Sequence, residues 1–373
     1  MTAATERTET LVVGGGQAGL ATAHHLAQRG RQALVLDANA RVGDQWRRRW
    51  DSMRLFTPAR YAALPGRPYP GDPWALPHAT EFADFLEQYA GNLDVPVLTG
   101  TRARRLSREG DLLAVQTDHG TVLADNVVVA TGHDAEASLP PYAAEVAPEV
   151  VQLHAADYRN PGQLPDGDVL VVGAGNSGVD IAVELAGTHR TFLSGRHPGE
   201  IPWPVAAPAT RPLTATAFWA FRHVLTVRTP MGRRLRPKAL AHSGPLIRVK
   251  SADVAAAGVE RVPRVEGVTG GMPRLESGRV LDVAAVVWCT GFRPDTSWIE
   301  LPVFDESGEP RQRRGVVPEE PGLYFVGRLF QYSLSSSMIQ GVGHDAAVVA
   351  AHIDARMRSA APRATSKAPA HAG

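Results

Sequence analysis

Leu11-Val12-Val13-Gly14-Gly15-Gly16-Gln17-Ala18-Gly19 is a short apolar run that breaks into glycine, and it returns as Val169-Leu170-Val171-Val172-Gly173-Ala174-Gly175-Asn176-Ser177-Gly178. Each turn opens a helix-like stretch, residues 20–28 and 179–186. Strand, tight turn and helix N-terminus form the context of a dinucleotide fingerprint. The first glycine makes the turn, the second lets backbone approach a pyrophosphate, and the third brings helix against strand. The phosphates then lie on unpaired N–H groups at the positive end of the helix. One such turn is a weak signal. Two in one chain predict an α/β fold with two Rossmann-like dinucleotide-binding domains.

The ends of the second strands separate the two nucleotides. Ala33-Leu34-Val35-Leu36-Asp37 places an acid 23 positions after Gly14, where it accepts from ribose hydroxyls and repels a 2′-phosphate. Thr191-Phe192-Leu193-Ser194-Gly195-Arg196 places an arginine 23 positions after Gly173, suited to a ribose phosphate, with Ser194 as an added hydroxyl donor. The first site therefore reads as FAD and the second as NADPH, against the plainer reading of Asp37 and Arg196 as strand-end surface charges.

The remaining composition excludes more than it selects. A formal net charge of +1 gives no global case for nucleic acid, and 44% hydrophobic content describes a globular chain. The single Cys289 rules out an internal disulfide, a CxxC pair and a cysteine metal site, and no metal is expected. No apolar run is long enough to span a membrane, and the polar N-terminus does not read as a signal peptide, so a cytoplasmic location is expected.

Along the chain, Gly43-Asp44-Gln45-Trp46 is expected to pass beneath a flat ring, and residues 61–77 read as a proline-rich covering loop. Pro77-His78-Ala79-Thr80 begins a helix striped by Phe82, Phe85, Leu86 and Tyr89. Two strands end alike, on Ala130-Thr131-Gly132 and Cys289-Thr290-Gly291, and both read as chain crossings between the nucleotide units. His24 and His25 read as helix-surface residues and Cys289 as a small core residue. Residues 201–250 hold a proline-rich part, an aromatic part and a basic part, read either as a lid or as a surface helix; the aromatics at 217–221 make a homodimer conceivable. Tyr324-Phe325-Val326-Gly327 and Gln340-Gly341-Val342-Gly343 lead into a helix over 344–357. The expected domains are 1–143 and 284–357 for FAD, 144–283 for NADPH inserted between them, and a disordered tail over 358–373.

On GGGQAG, GDQW, the two Thr-Gly strand ends, GAGNSG with SGR after it, and the closing YFVG…GVGHDA, the chain resembles the class B flavin-dependent monooxygenase superfamily. That group includes flavin-containing monooxygenases, plant-type indole-pyruvate monooxygenases and short bacterial proteins similar to them. Its signature FxGxxxHxxxY is matched in its second half by His154, Tyr158 and Arg159, while its Phe and Gly fall on Pro148 and Val150. The resemblance implies that NADPH reduces FAD and that O2 then forms a C4a-peroxyflavin, protected by bound NADP+ until a small nitrogen, sulfur or carbonyl substrate takes one oxygen atom. The FAD residues expected are Gly14, Gly16, Gln17, Ala18, Gly19, Asp37, Gln45, Trp46, Thr131, Gly132, Gly327 and Gln340. For NADPH they are Gly173, Gly175, Asn176, Ser177, Gly178, Ser194, Arg196, Thr290 and Gly291. Asn176, His154 and Tyr158 are candidates for catalysis, the last two equally for a hinge. Two other readings stand beside the monooxygenase: an NADPH-dependent flavin reductase or oxidase, and a nucleotide-binding sensor without turnover. The substrate pocket is expected from 52–77, 201–245 and 328–338.

Overall fold

Short Val- and Leu-rich strands flanked by amphipathic helices can be buried on both faces only in a parallel sheet covered on both sides. The computed structural model, which describes residues 5–132, 136–241 and 244–360, contains two such sheets, the first carrying an antiparallel edge. The first is built from β1 (Thr5–Val13), β2 (Ala33–Leu36), β3 (Val97–Leu98), β4 (Ala103–Glu109), β5 (Leu112–Thr117) and β6 (Gly120–Val129), in the order β3-β2-β1-β6-β5-β4. Val12 pairs with Val35 on one side and Val128 on the other, both in parallel register. Along β6, residues 120–124 pair antiparallel with β5, and 127–129 take a parallel partner from the C-terminus. Helices α1 (Gln17–Ala27), α2 (Asp44–Arg47) and α3 (Ala79–Gly91) lie between these strands in sequence. The charged strand β4 was not anticipated, because Ala-Arg-Arg-Leu-Ser-Arg-Glu buries only Leu106.

A two-residue strand β7 (Glu136–Ala137) then leads to the second sheet. Its members are β8 (Val151–His154), β9 (Val169–Val172), β10 (Thr191–Ser194) and β11 (Glu260–Val262), with helix α4 (Asn176–Leu185) after β9. Helices α5 (Arg211–His223), α6 (Pro230–Ala241) and α7 (Ser251–Ala256) separate β10 from β11. A hairpin of β12 (Val265–Thr269) and β13 (Met272–Leu275) follows, then β14 (Ala285–Trp288). The order is β11-β10-β9-β14-β8, all parallel. Because β14 sits between β9 and β8, residues 285–288 belong to the second sheet, and the return to the first comes after them rather than at 284. That return is β15 (Phe292–Arg293), antiparallel to β7, so the two crossings form one ribbon. β16 (Leu323–Phe325) rejoins β6, and α8 (Ile339–Ala360) packs along α1. The last helix is longer at both ends than expected, and 358–360 belong to it, not to a tail; residues 361–373 lie outside the described residues.

The first sheet's α1, α3 and α8 face holds Leu20, Phe82, Phe85 and Val342, and its other face Leu106, Trp298 and Ile299. Two further clusters cover the second sheet, centred on Val171 and Leu193 on one face and on Phe192 and Trp288 on the other.

Candidate functional site

The two glycine turns have nearly the same backbone. Gly14 and Gly173 stand at φ +115° and +113°, in the left-handed half of φ/ψ space that only glycine enters easily. A Cβ on Gly14 would overlap the Ala130 carbonyl, and one on Gly173 the Cys289 carbonyl, so each turn is pressed against one of the Thr-Gly strand ends. The third glycines, Gly19 and Gly178, would overlap the carbonyls of Gly14 and Gly173 respectively. Gly16 differs: a Cβ there meets nothing within 4 Å. The protein itself does not require glycine at that position, and the open space is where a ligand backbone or phosphate would press.

Both helices begin without a side-chain cap and without an acid in the first turn: α1 at Gly16 (φ −78°, ψ −177°) and α4 at Gly175 (φ −77°, ψ −175°). Uncapped first-turn N–H groups leave the positive helix end free for an anion.

Beside these matched turns the charges are opposite. The buried Asp37 accepts from Gly15 N–H through Oδ2 (3.0 Å) and from the Asn39 backbone and side chain through Oδ1 (2.7 and 2.9 Å). Burial pushes its carboxyl above the ordinary value despite these three donors. At the second turn the equivalent space is held by Gly195, whose Cβ would lie 2.7 Å from Ala174 N, and Arg196 beyond it is exposed. Arg261 joins it there, donating from Nη2 to the Gly195 carbonyl at 2.9 Å. Sequence reasoning missed Arg261; the parallel pairing of Leu193 with Arg261 on the neighbouring strand puts it in place.

A family profile described as pyridine nucleotide-disulphide oxidoreductase matches residues 11–198, both glycine turns included. An uncharacterized oxidoreductase similar to CzcO from Geobacillus kaustophilus is 36% identical over 91% of this chain and 96% of its own. The chain belongs to the pyridine nucleotide-disulphide oxidoreductase family. Within it the likeness runs to flavin monooxygenases. The indole-3-pyruvate monooxygenase YUCCA8 of Oryza sativa subsp. indica is 28% identical over 93% of this chain and 90% of its own. The solved flavin-containing monooxygenase from Stenotrophomonas maltophilia superposes with a TM-score of 0.77 at 26% identity, over 94% of this chain and 99% of that one. This member is thus a flavin-dependent oxidoreductase of the class B monooxygenase type.

Several residues expected at the sites of this family member turn out to be occupied by the fold. Ser194 is buried, donates to the Pro263 carbonyl (2.9 Å) and accepts from Val265 N–H (3.0 Å), so its hydroxyl anchors the hairpin rather than facing a ribose phosphate. Thr290 donates to the Ser138 carbonyl and fastens the ribbon of crossings. Asn176 bonds Pro245 O and Ile247 N, each at 3.0 Å, which orders the segment after α6. His154 accepts from Ala156 N–H at Nδ1, donates through Nε2 to Gly291 O (3.1 Å) and meets Phe292 edge-on. Tyr158 is fully buried, donates to Glu184 at 2.8 Å and is raised above its ordinary pKa by burial. Each catalytic candidate is thus engaged by the fold: His154 with the chain crossing at Gly291, Tyr158 with α4 through Glu184, and Asn176 with residues 245–247.

Of the remaining expected FAD residues, Gly327 is the one placed against the start of α1, its Cβ position 2.8 Å from Ala18 Cβ. Thr131, Gly132 and Gln45 are exposed, Trp46 packs edge-on against Phe82 at 5.0 Å, and the Gln340 Oε1 is buried without a hydrogen-bond partner. Cys289 packs beside the second core, and desolvation pushes its thiol up to about 12, the behaviour of a core residue.

The three irregular stretches meet. Tyr61 stacks on Phe218 at 4.3 Å; Phe56 and Leu76 pack with Ile201, Trp203 and Val205; Val227 N–H donates to Tyr332 O at 2.8 Å. At this corner stand the two non-glycine residues of positive φ among those described, Arg314 (+53°) and Phe330 (+52°). Beneath it is a buried polar group that sequence reasoning did not single out, Asp345 with Gln331, Ser333, Ser335 and Ser336. Burial raises Asp345 to about 6, opposed by the Ser336 hydroxyl and the charges of Arg314 and Arg222.

Proposed function

We propose that this chain is an FAD- and NADPH-dependent monooxygenase that inserts one atom of O2 into a small nitrogen-, sulfur- or carbonyl-containing substrate, with the second atom leaving as water and NADPH supplying the electron pair. The observation that carries the reading is the pair of matched glycine turns with opposite charge beside them. Gly16 and the uncapped start of α1 would hold the FAD pyrophosphate, and the Asp37 carboxylate, already oriented by Gly15 and Asn39, would take ribose hydroxyls. The start of α4 with Gly175 and Ser177 would hold the second pyrophosphate, and Arg196 with Arg261 the 2′-phosphate. Bound FAD supplies hydride acceptance and O2 activation; the chain supplies orientation and a pocket from which water is excluded. The stacked Tyr61 and Phe218 would form part of the wall of that pocket. The domains we propose are residues 5–132 with 292–360 for FAD, and 144–291 for NADPH.

The test is anaerobic reduction of the flavin-loaded protein by NADPH, followed by mixing with aerated buffer. A long-lived peroxyflavin spectrum with little free peroxide supports the monooxygenase. Immediate reoxidation with stoichiometric peroxide makes the chain a reductase or oxidase, and a flavin that NADPH never reduces makes it a sensor.

A further inference from the structure

Residues 201–250 contain nine lysines and arginines and no aspartate or glutamate, in a chain whose totals are 39 and 38. The run builds α5 and α6, and their inward sides are accounted for. On α5, Phe218 stacks on Tyr61 and Thr214 accepts from Trp203 Nε1 (3.1 Å). On α6, Gly232 lies against the Thr226 backbone. Arg222 faces buried Asp345, Arg236 faces Asp305 and Arg248 pairs with Asp180 at 2.7 Å.

Three other arginines of this run differ. Arg228, Arg233 and Arg234 are exposed, and among the described residues none of them is in an ion pair. Exposed arginines elsewhere commonly are, as in Arg41–Glu87 and Arg105–Glu300. The three most exposed large apolar side chains of the described residues lie on the same run of chain: Leu213 (53%), Trp219 (58%) and Met231 (59%). Leu213, Thr216 and Trp219 follow one another at helical spacing along the exposed stripe of α5, and Met231 opens α6 just before Arg233 and Arg234.

Exposed arginines outside any ion pair, on the same two helices and their connection as an exposed tryptophan and two aliphatic tips, are the composition of an interfacial membrane surface. Nucleic acid would use the cations and leave Leu213 and Met231 in water; a bilayer headgroup layer accommodates both, and tryptophan favours that depth. We propose that the outward face of α5 and α6 docks peripherally on an anionic phospholipid surface. Arg228, Arg233 and Arg234 meet the phosphates while Leu213, Trp219 and Met231 enter the headgroup layer. No helix of the described residues is long and apolar enough to cross a membrane, so the contact is made from one side. This docking does not depend on the oxygenase reading.

The test is co-sedimentation of the full chain with vesicles of pure phosphatidylcholine and vesicles in which about a third is phosphatidylglycerol, at low and high salt. Binding is expected to the anionic vesicles only and is lost at high salt. R233E/R234E is expected to weaken partitioning at least ~25-fold, from roughly fivefold per cation at such a surface. L213S/W219S is expected to weaken it as well, with circular dichroism unchanged in both variants because all four residues are exposed. Failure of the native chain to sediment with anionic vesicles overturns the proposal, as does native binding by both variants. A solution dimer that W219S alone dissociates would assign the face to a second copy, and duplex DNA that displaces the vesicles would assign it to nucleic acid; either result overturns the proposal too.

Discussion

Gly16→Ala separates what the protein needs from what its ligand needs. Gly16 has φ −78° and ψ −177°, which alanine adopts without strain, and the added methyl meets nothing within 4 Å. Two small effects oppose each other: alanine stiffens the unfolded chain, stabilising by about 0.4–1 kcal/mol, and is a poorer N-cap than glycine by a comparable ~0.5–1 kcal/mol. The apo-protein should therefore unfold within about 0.5 kcal/mol of native. FAD affinity should fall at least ~30-fold, about 2 kcal/mol, because the methyl fills the approach reserved for the pyrophosphate. Gly19→Ala is the contrast. Its methyl would overlap the Gly14 carbonyl, so it should destabilise even the apo-protein by about 3 kcal/mol or more. Thermal unfolding of the apo-proteins and quenching of FAD fluorescence on titration measure both quantities. Native FAD affinity in Gly16→Ala would refute the reasoning, as would an apo-protein as unstable as Gly19→Ala.

Arg196→Ala and Arg261→Ala should each raise the KM for NADPH about tenfold and leave that for NADH unchanged, on the loss of one exposed charge-assisted contact of about 1.5 kcal/mol; stopped-flow flavin reduction with both nucleotides decides it. Ser194→Ala should lower stability by about 1–3 kcal/mol, since Val265 N–H and Pro263 O lose their buried partner, while NADPH affinity stays within a factor of two or so. Tyr158→Phe should cost roughly 1–2 kcal/mol in denaturant unfolding and leave kcat unchanged, whereas a catalytic hydroxyl would remove turnover. Asp345 has a native pKa of about 6, above its unfolded value, so folding takes up a proton between the two values. Stability should fall as pH rises from about 4 to 6, by roughly 3 kcal/mol from this group alone, and Asp345→Asn should flatten that slope in urea melts across the range.

Much of the fold could be read from local signals. Gly14 and Gly173 need no distant information, because a strand that breaks into glycine ahead of a helix is written within ten residues. The two charges were legible to within one residue: the second crossover is one residue shorter, so Gly195 takes the place equivalent to Asp37 and Arg196 follows it. Inverse cases were those where a polar group could turn either to a ligand or to the fold. Ser194, Thr290, Asn176, His154 and Tyr158 all have the chemistry of a site, yet each meets a carbonyl, amide or carboxylate supplied by chain far away in sequence.

By itself, the sequence determined that the chain makes two α/β units of the dinucleotide-binding type, and that an acid, Asp37, follows the second strand of one unit and an arginine, Arg196, follows that of the other. These depend on periodicity, glycine sterics and residue counts, all short-range. Only the tertiary structure decided that residues 285–288 complete the second sheet, that Arg261 stands with Arg196, and that Asp345 is buried beneath the meeting of three irregular stretches. Strand neighbours, burial and the partner of a hydrogen bond are set by contacts between segments far apart in the chain, 134 residues for Ala285 and Val151 and 66 for Arg261 and Gly195, and no local pattern encodes them.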